Sequence, residues 1–181
     1  MNPRIRKLFA DRDSTDRDVA YQALVALFAE TEKPVAWAYE VWDQLLSELT
    51  HKAGNKRAFA AQMLTRLAIS DPAGRMLTDF PKVAAVLTDP KTVTARHALQ
   101  SLWRTGLAGP KQRAMVIDTL GQRFRECSRE RNGRLVRTDV VTALGKLSKA
   151  TNDGSIEARV SALIETEPDE KQRKKQRAAW R

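Results

Sequence analysis

An arginine-led apolar pattern recurs along this chain with the spacing of one helix face. Arg17-x-x-Ala20-Tyr21-x-x-Leu24-x-x-Leu27 matches Arg57-x-x-Ala60-Ala61-x-x-Leu64-x-x-Leu67 and Arg137-x-x-Val140-Val141-x-x-Leu144-x-x-Leu147. Residues three and four apart share one side of an α-helix. A fourth copy, Ala95-Arg96-x-x-Leu99-x-x-Leu102, keeps the apolar positions but has Thr92 where the arginine stands. The first leucines fall at 24, 64, 99 and 144, so the copies are 40, 35 and 45 residues apart. Between successive copies lies one more amphipathic segment, such as Val41, Trp42, Leu45, Leu46 and Leu49, or Val116, Ile117, Leu120 and Phe124. One helical pair of this size cannot bury its own apolar face, so such units must stack on one another.

No stretch alternates apolar and polar residues over a strand length, so the expected class is all-α. Ser70-Asp71-Pro72 and Asp89-Pro90 are strong helix stops, because proline disfavours helix in the residue before it. Pro110 is suited to a first helical position. Gly54, Asn132-Gly133 and Asn152-Asp153-Gly154 read as helix-ending turns. Pro3 to Asp11 is expected to form a short N-terminal cap on the array, and Ile156 to Glu165 a C-terminal one. The chain length of 181 residues suits one domain. The expected division is a helical repeat domain over residues 1–167 and a basic C-terminal tail over 168–181.

The stretch Val136-Arg137-Thr138-Asp139-Val140-Val141-Thr142-Ala143-Leu144-Gly145-Lys146-Leu147 resembles the second helix of a HEAT repeat, which typically reads V-R-x-x-A-A-x-A-L-G-x-L. Arg113-x-x-Val116-Ile117-x-x-Leu120-Gly121 is similar in a weaker form. The resemblance covers roughly residues 14–166. The glycine after the first leucine is replaced by Val25, Thr65 and Gln100 in the other copies. The resemblance implies a right-handed α-α superhelix of about four HEAT-like, armadillo-type two-helix repeats. It also implies that the second helices line a groove where a partner is held.

Charge narrows the partner classes. The formal net charge is +10, but residues 171–181 hold Lys171, Arg173, Lys174, Lys175, Arg177 and Arg181 without an acid. Residues 111–137 hold a second excess, including Arg123, Arg125, Arg129, Arg134 and Arg137. The rest of the chain is close to neutral. A run such as that after Lys171 is ordinarily a solvated tail; its functional reading is contact with DNA or RNA phosphates. The arginines Arg17, Arg57 and Arg137 have two readings as well. They bond neighbouring repeats through acids or carbonyls, with Asp18 and Asp139 as candidate acids, or they form a basic ladder on the inner surface.

Catalytic patterns are scarce. No phosphate-cradling glycine loop and no nucleophile–base pair stands out. His51 reads as a capping or surface residue, His97 as solvated, and Cys127 as a buried, unreactive thiol. One cysteine makes neither a disulfide scaffold nor a cysteine-rich zinc site. No cofactor and no metal are expected. The N-terminal apolar patch is too short for a signal peptide, and the expectation is a cytoplasmic protein without membrane contact. Trp42 reads as core, while Trp37 reads as partly exposed and able to stack on a base. Trp42 with Asp43 echoes the tryptophans and aspartate of HEAT-repeat alkylpurine DNA glycosylases. The leading expectation is a non-enzymatic module that binds another protein along its concave face. The alternative is a nucleic-acid binder, including the glycosylase-like case.

Overall fold

The computed structural model describes residues Met1–Trp180; Arg181, counted in the basic C-terminal run, lies outside the described residues. The described residues form ten α-helices and no strand. They are α1 (Pro3–Asp11), α2 (Arg17–Glu30), α3 (Ala38–Glu48), α4 (Gly54–Leu67), α5 (Arg75–Ala85), α6 (Thr92–Ser101), α7 (Pro110–Glu126), α8 (Gly133–Thr151), α9 (Ser155–Glu165) and α10 (Glu170–Trp180). Short 3₁₀ turns continue α4, α5, α6 and α7.

Local chemistry sets several helix ends. The Asn2 side chain accepts from the Ile5 N–H at 2.9 Å, with Pro3 following at the first helical position. Asp16 does the same for α2, accepting from the N–H groups of Asp18 and Val19. Pro110 opens α7. Asn152 closes α8 with a positive φ of 52°, the left-handed turn that ends many helices. Two boundaries differ from expectation: Gly54 and Gly133 open α4 and α8 rather than ending the helices before them. At Gly54 the reason is close approach. The Thr94 hydroxyl donates to the Gly54 carbonyl at 3.1 Å, and a Cβ at position 54 would lie 2.6 Å from that hydroxyl oxygen.

From α3 to α8, each helix packs against the second-next helix in the chain. On one side α3 packs against α5, α5 against α7 and α7 against α9. On the other, α4 packs against α6, α6 against α8 and α8 against α10. The N-terminal helices continue both series. Phe28 of α2 stacks on Phe59 of α4, centroids 6.3 Å apart, and Phe9 of α1 meets Trp37, just before α3, edge-on at 6.0 Å. One apolar core runs from Ile5 to Ile164. The patterned residues Leu27, Leu64, Leu67, Leu99, Leu102, Leu144 and Leu147 are all buried in it. Each fully buried leucine contributes about 1.5–3 kcal/mol relative to exposure.

The basic C-terminal segment is a helix docked on α8, not a free tail. Gly145 of α8 makes room for it: a Cβ there would lie 3.0 Å from the Trp180 carbonyl oxygen and 3.3 Å from its indole ring. The buried Gln176 amide donates to Glu167 at 3.3 Å. Arg173 donates to the Glu167 carbonyl at 2.8 Å, and Arg177 pairs with Glu165.

Candidate functional site

The repeated arginines come first, because they are the shared chemistry of the copies. Arg57, on the first turn of α4, donates to both carboxylate oxygens of Asp89, in the turn before α6. Its remaining nitrogen donates to the carbonyls of His51 and Lys52 at 2.7 and 3.2 Å. The Arg57 hydrogen bond holds Asp89 below the usual carboxylate pKa range. Arg137, near the start of α8, donates to Glu167 at 2.7 Å and to the Phe124 carbonyl at 3.0 Å. Its guanidinium also lies 4.7 Å from the Phe124 ring centroid. Burial by itself raises the pKa of Glu167, but the Arg137 bond and charge, together with hydrogen bonds from the Asp169 N–H and Gln176, outweigh it and the net shift is downward. Arg123 is buried, donating to Glu130 at 2.7 Å and to the Leu87 carbonyl at 3.3 Å.

These contacts share one geometry. Asp89, Glu130 and Glu167 each sit in the connection leading into an even-numbered helix, and an arginine clamps each one. At the N-terminal end Arg12 holds Glu48, the last residue of α3, at 3.0 and 3.1 Å. In the copy that lacks the leading arginine, Arg96 takes over and pairs with Asp139 of α8 at 2.6 and 3.0 Å. Two of the three arginines with a ladder reading, Arg57 and Arg137, are therefore engaged in internal clamps, and so is Arg123. Arg17 is the exception: it is exposed and has no ion pair among the described residues.

The other expected binding residues divide in the same way. Arg134 pairs with Asp169 at 3.3 Å and Lys174 with Glu170 at 3.0 Å, both on the surface. Arg125, Arg129, Lys171 and Lys175 are exposed and carry no ion pair among the described residues. Trp37, expected partly exposed, is only 7% exposed; edge-on packing against Phe9 fills the space beside it. Trp42 is fully buried, and its indole N–H donates to Asp79 at 3.0 Å. Asp43 points to solvent and pairs with Arg75. Neither tryptophan is open to a base. His51 accepts the Ala53 N–H at 3.0 Å, a local cap, and His97 is exposed on α6. Cys127 is buried, with burial pushing its thiol pKa up and its S–H donating to the Phe124 carbonyl at 3.4 Å. Among the described residues, no three His, Cys, Asp or Glu side chains converge as a metal-holding group.

An open groove lies elsewhere. A groove of about 830 Å³ runs over α4 between α2 and α6. Tyr21 and Val25 of α2, 61% and 45% exposed, form one wall, and Val93 of α6, 68% exposed, forms the other. Phe28 and Phe59 lie beneath them. Lys91 and His97 are the cationic and titratable side chains on the lining, and no carboxylate is among the described residues lining it. The repeat pattern hides this groove by counting Tyr21 among its apolar positions. The signal was the size of the residue: Tyr21 stands where the other copies have Ala61 and Val141, both buried.

No protein-family model matches the chain, and no curated protein matches it at a significant level.

Proposed function

We propose that this chain is a non-enzymatic, cytoplasmic interaction module built as a HEAT-like α-α superhelix of about four two-helix repeats. It holds another protein along the inner face formed by its even-numbered helices. One observation carries this reading: the groove over α4 exposes Tyr21, Val25 and Val93 together. Large hydrophobics gathered on one groove support an interaction surface, whereas isolated exposed hydrophobics need no explanation. Its walls stand largely in solvent, unlike a small-molecule site, which covers most of its ligand. The alternation of helix contacts and the recurring arginine clamps support the repeat architecture. The test is a photo-crosslinking residue placed at Val93, with the same group at exposed Lys146 as the control. A partner protein joined at position 93 and not at 146 is expected. Equal labelling at both sites contradicts the reading.

A second reading, binding of nucleic-acid phosphates, has a separate support. Arg125, Arg129, Lys171 and Lys175 are exposed without ion pairs among the described residues. Titration of labelled DNA and RNA at two salt concentrations tests it. Phosphate-driven affinity is strongest at low salt, so no binding there rejects it.

A further inference from the structure

We infer that the groove over α4 takes an acidic amphipathic helix from a partner protein, its apolar side chains seated between Tyr21 and Val93 and its carboxylates turned to Lys91 and His97. This inference rests on the interaction-module reading and gives it an occupant.

The argument starts from length. On α2 the apolar strip runs from Tyr21 through Leu24 and Val25 to Phe28, the spacing of one helix face. At 1.5 Å per residue this strip is about 10 Å long, or two helical turns. A helix lying along it offers large side chains at the same spacing, which is the recurring mode of helix-in-groove recognition.

Charge then selects the occupant. Lys91 is exposed at the start of α6 and has no ion pair among the described residues. Beyond the Phe28 end of the groove, Arg66 lies over the Phe28 ring and shares the single carboxylate of Glu32 with Arg104, which leaves one guanidinium in excess there. At the near end the charges balance, with Arg12 and Lys56 set against Asp13 and Glu48. At the start of α2, Arg17 stands against Asp16 and Asp18, which leaves one carboxylate in excess there. The positive surplus is therefore local: it lies at the α6 wall and beyond the Phe28 end, while the start of α2 is slightly acidic. A second copy of this chain, with a net charge of +10, is a poor match for it. A nucleic acid is also a poor match, since phosphates call for several free cations while these walls are apolar.

The experiment is selection of random peptides of about 16 residues, some four helical turns, displayed on phage against the full chain. Binding is then measured for four variants: Tyr21→Glu, Val93→Glu, Lys91→Glu and Tyr21→Phe. The three altered side chains are exposed, and circular dichroism confirms that each variant is folded. The expected result is enrichment of sequences with apolar residues at helical spacing and flanking Asp or Glu. Tyr21→Glu and Val93→Glu weaken these peptides roughly thirtyfold or more, as for an aromatic anchor at an interface. Lys91→Glu weakens them less, and Tyr21→Phe leaves them bound. Enriched peptides with basic flanks, indifferent to Lys91→Glu, overturn the acidic occupant while leaving the module reading intact. Peptides that bind equally to Tyr21→Glu and Val93→Glu overturn the groove as the seat. An absence of any enriched peptide, or nucleic-acid binding that Tyr21→Glu abolishes, overturns both the inference and the reading beneath it.

Discussion

Arg137→Ala should destabilise the fold severely, because the arginine sits in a buried pair rather than on a binding face. The side chains of Arg137 and Glu167 are 10% and 5% exposed. Without Arg137, the Glu167 carboxylate keeps two hydrogen bonds among the described residues, from the Gln176 amide and the Asp169 N–H, each at 3.3 Å. Removing one member of a buried ion pair costs about 3–5 kcal/mol, since the other charge stays buried. A domain of this size loses roughly 2–4 °C of melting temperature per kcal/mol, so the expected drop is roughly 6–20 °C. Thermal melts by far-UV circular dichroism measure it, with exposed Arg125→Ala as the control, expected within about 0.5 kcal/mol of the parent. The pH dependence adds a sign. The pKa of Glu167 is lowered in the folded chain, so its contribution is complete above the ordinary glutamate value of about 4.3. That contribution is lost as the pH falls through the depressed folded value. The gap between parent and Arg137→Ala should therefore be widest near neutrality and narrow in acid. A melting temperature for Arg137→Ala no lower than that of Arg125→Ala would refute the clamp and return Arg137 to the surface.

The helical class and most helix positions were legible in the sequence because they depend on local spacing and capping. Leu64, Leu99 and Leu144 are buried where a period of three to four puts them. Pro110 and Asn152 act at the helix ends where their backbone chemistry suits them. What the sequence left open depends on contacts between distant residues. Arg57 and Arg137 look alike in a ladder or in a clamp, and only the positions of Asp89 and Glu167, some 30 residues onward, decide between them. The C-terminal run looked solvated because its composition is cationic. Its docking rests on Gly145 facing Trp180 and on a buried glutamine, neither of which charge counting registers. Glycine commonly ends helices, yet at Gly54 the approach of Thr94 makes the demand. The groove went unread because a large aromatic at an apolar repeat position looks like core until its neighbours are placed.

Gly145→Ala should crowd Trp180 and lift α10 from α8, costing about 1–3 kcal/mol as overpacking does; limited proteolysis should then cut near residue 168, and an unchanged cleavage pattern counts against the docking. Glu32→Gln should lower stability by about 1 kcal/mol, since Glu32 is half exposed but holds both Arg66 and Arg104; urea titration measures the loss, and no change indicates that the two arginines do not depend on it. Cys127 should resist thiol reagents in the folded chain and react once urea unfolds it, because the thiol is buried and its pKa is raised. Fast native labelling contradicts that placement.

The most direct measurement is amide and methyl chemical-shift mapping of the folded chain, titrated with the tightest peptide from the display selection. Shifts gathered on Tyr21, Val25, Phe28, Phe59, Val93 and His97 are expected, because these residues wall and floor the groove. Shifts gathered instead on Arg129, Lys171 and Lys175, with α2, α4 and α6 silent, would contradict it.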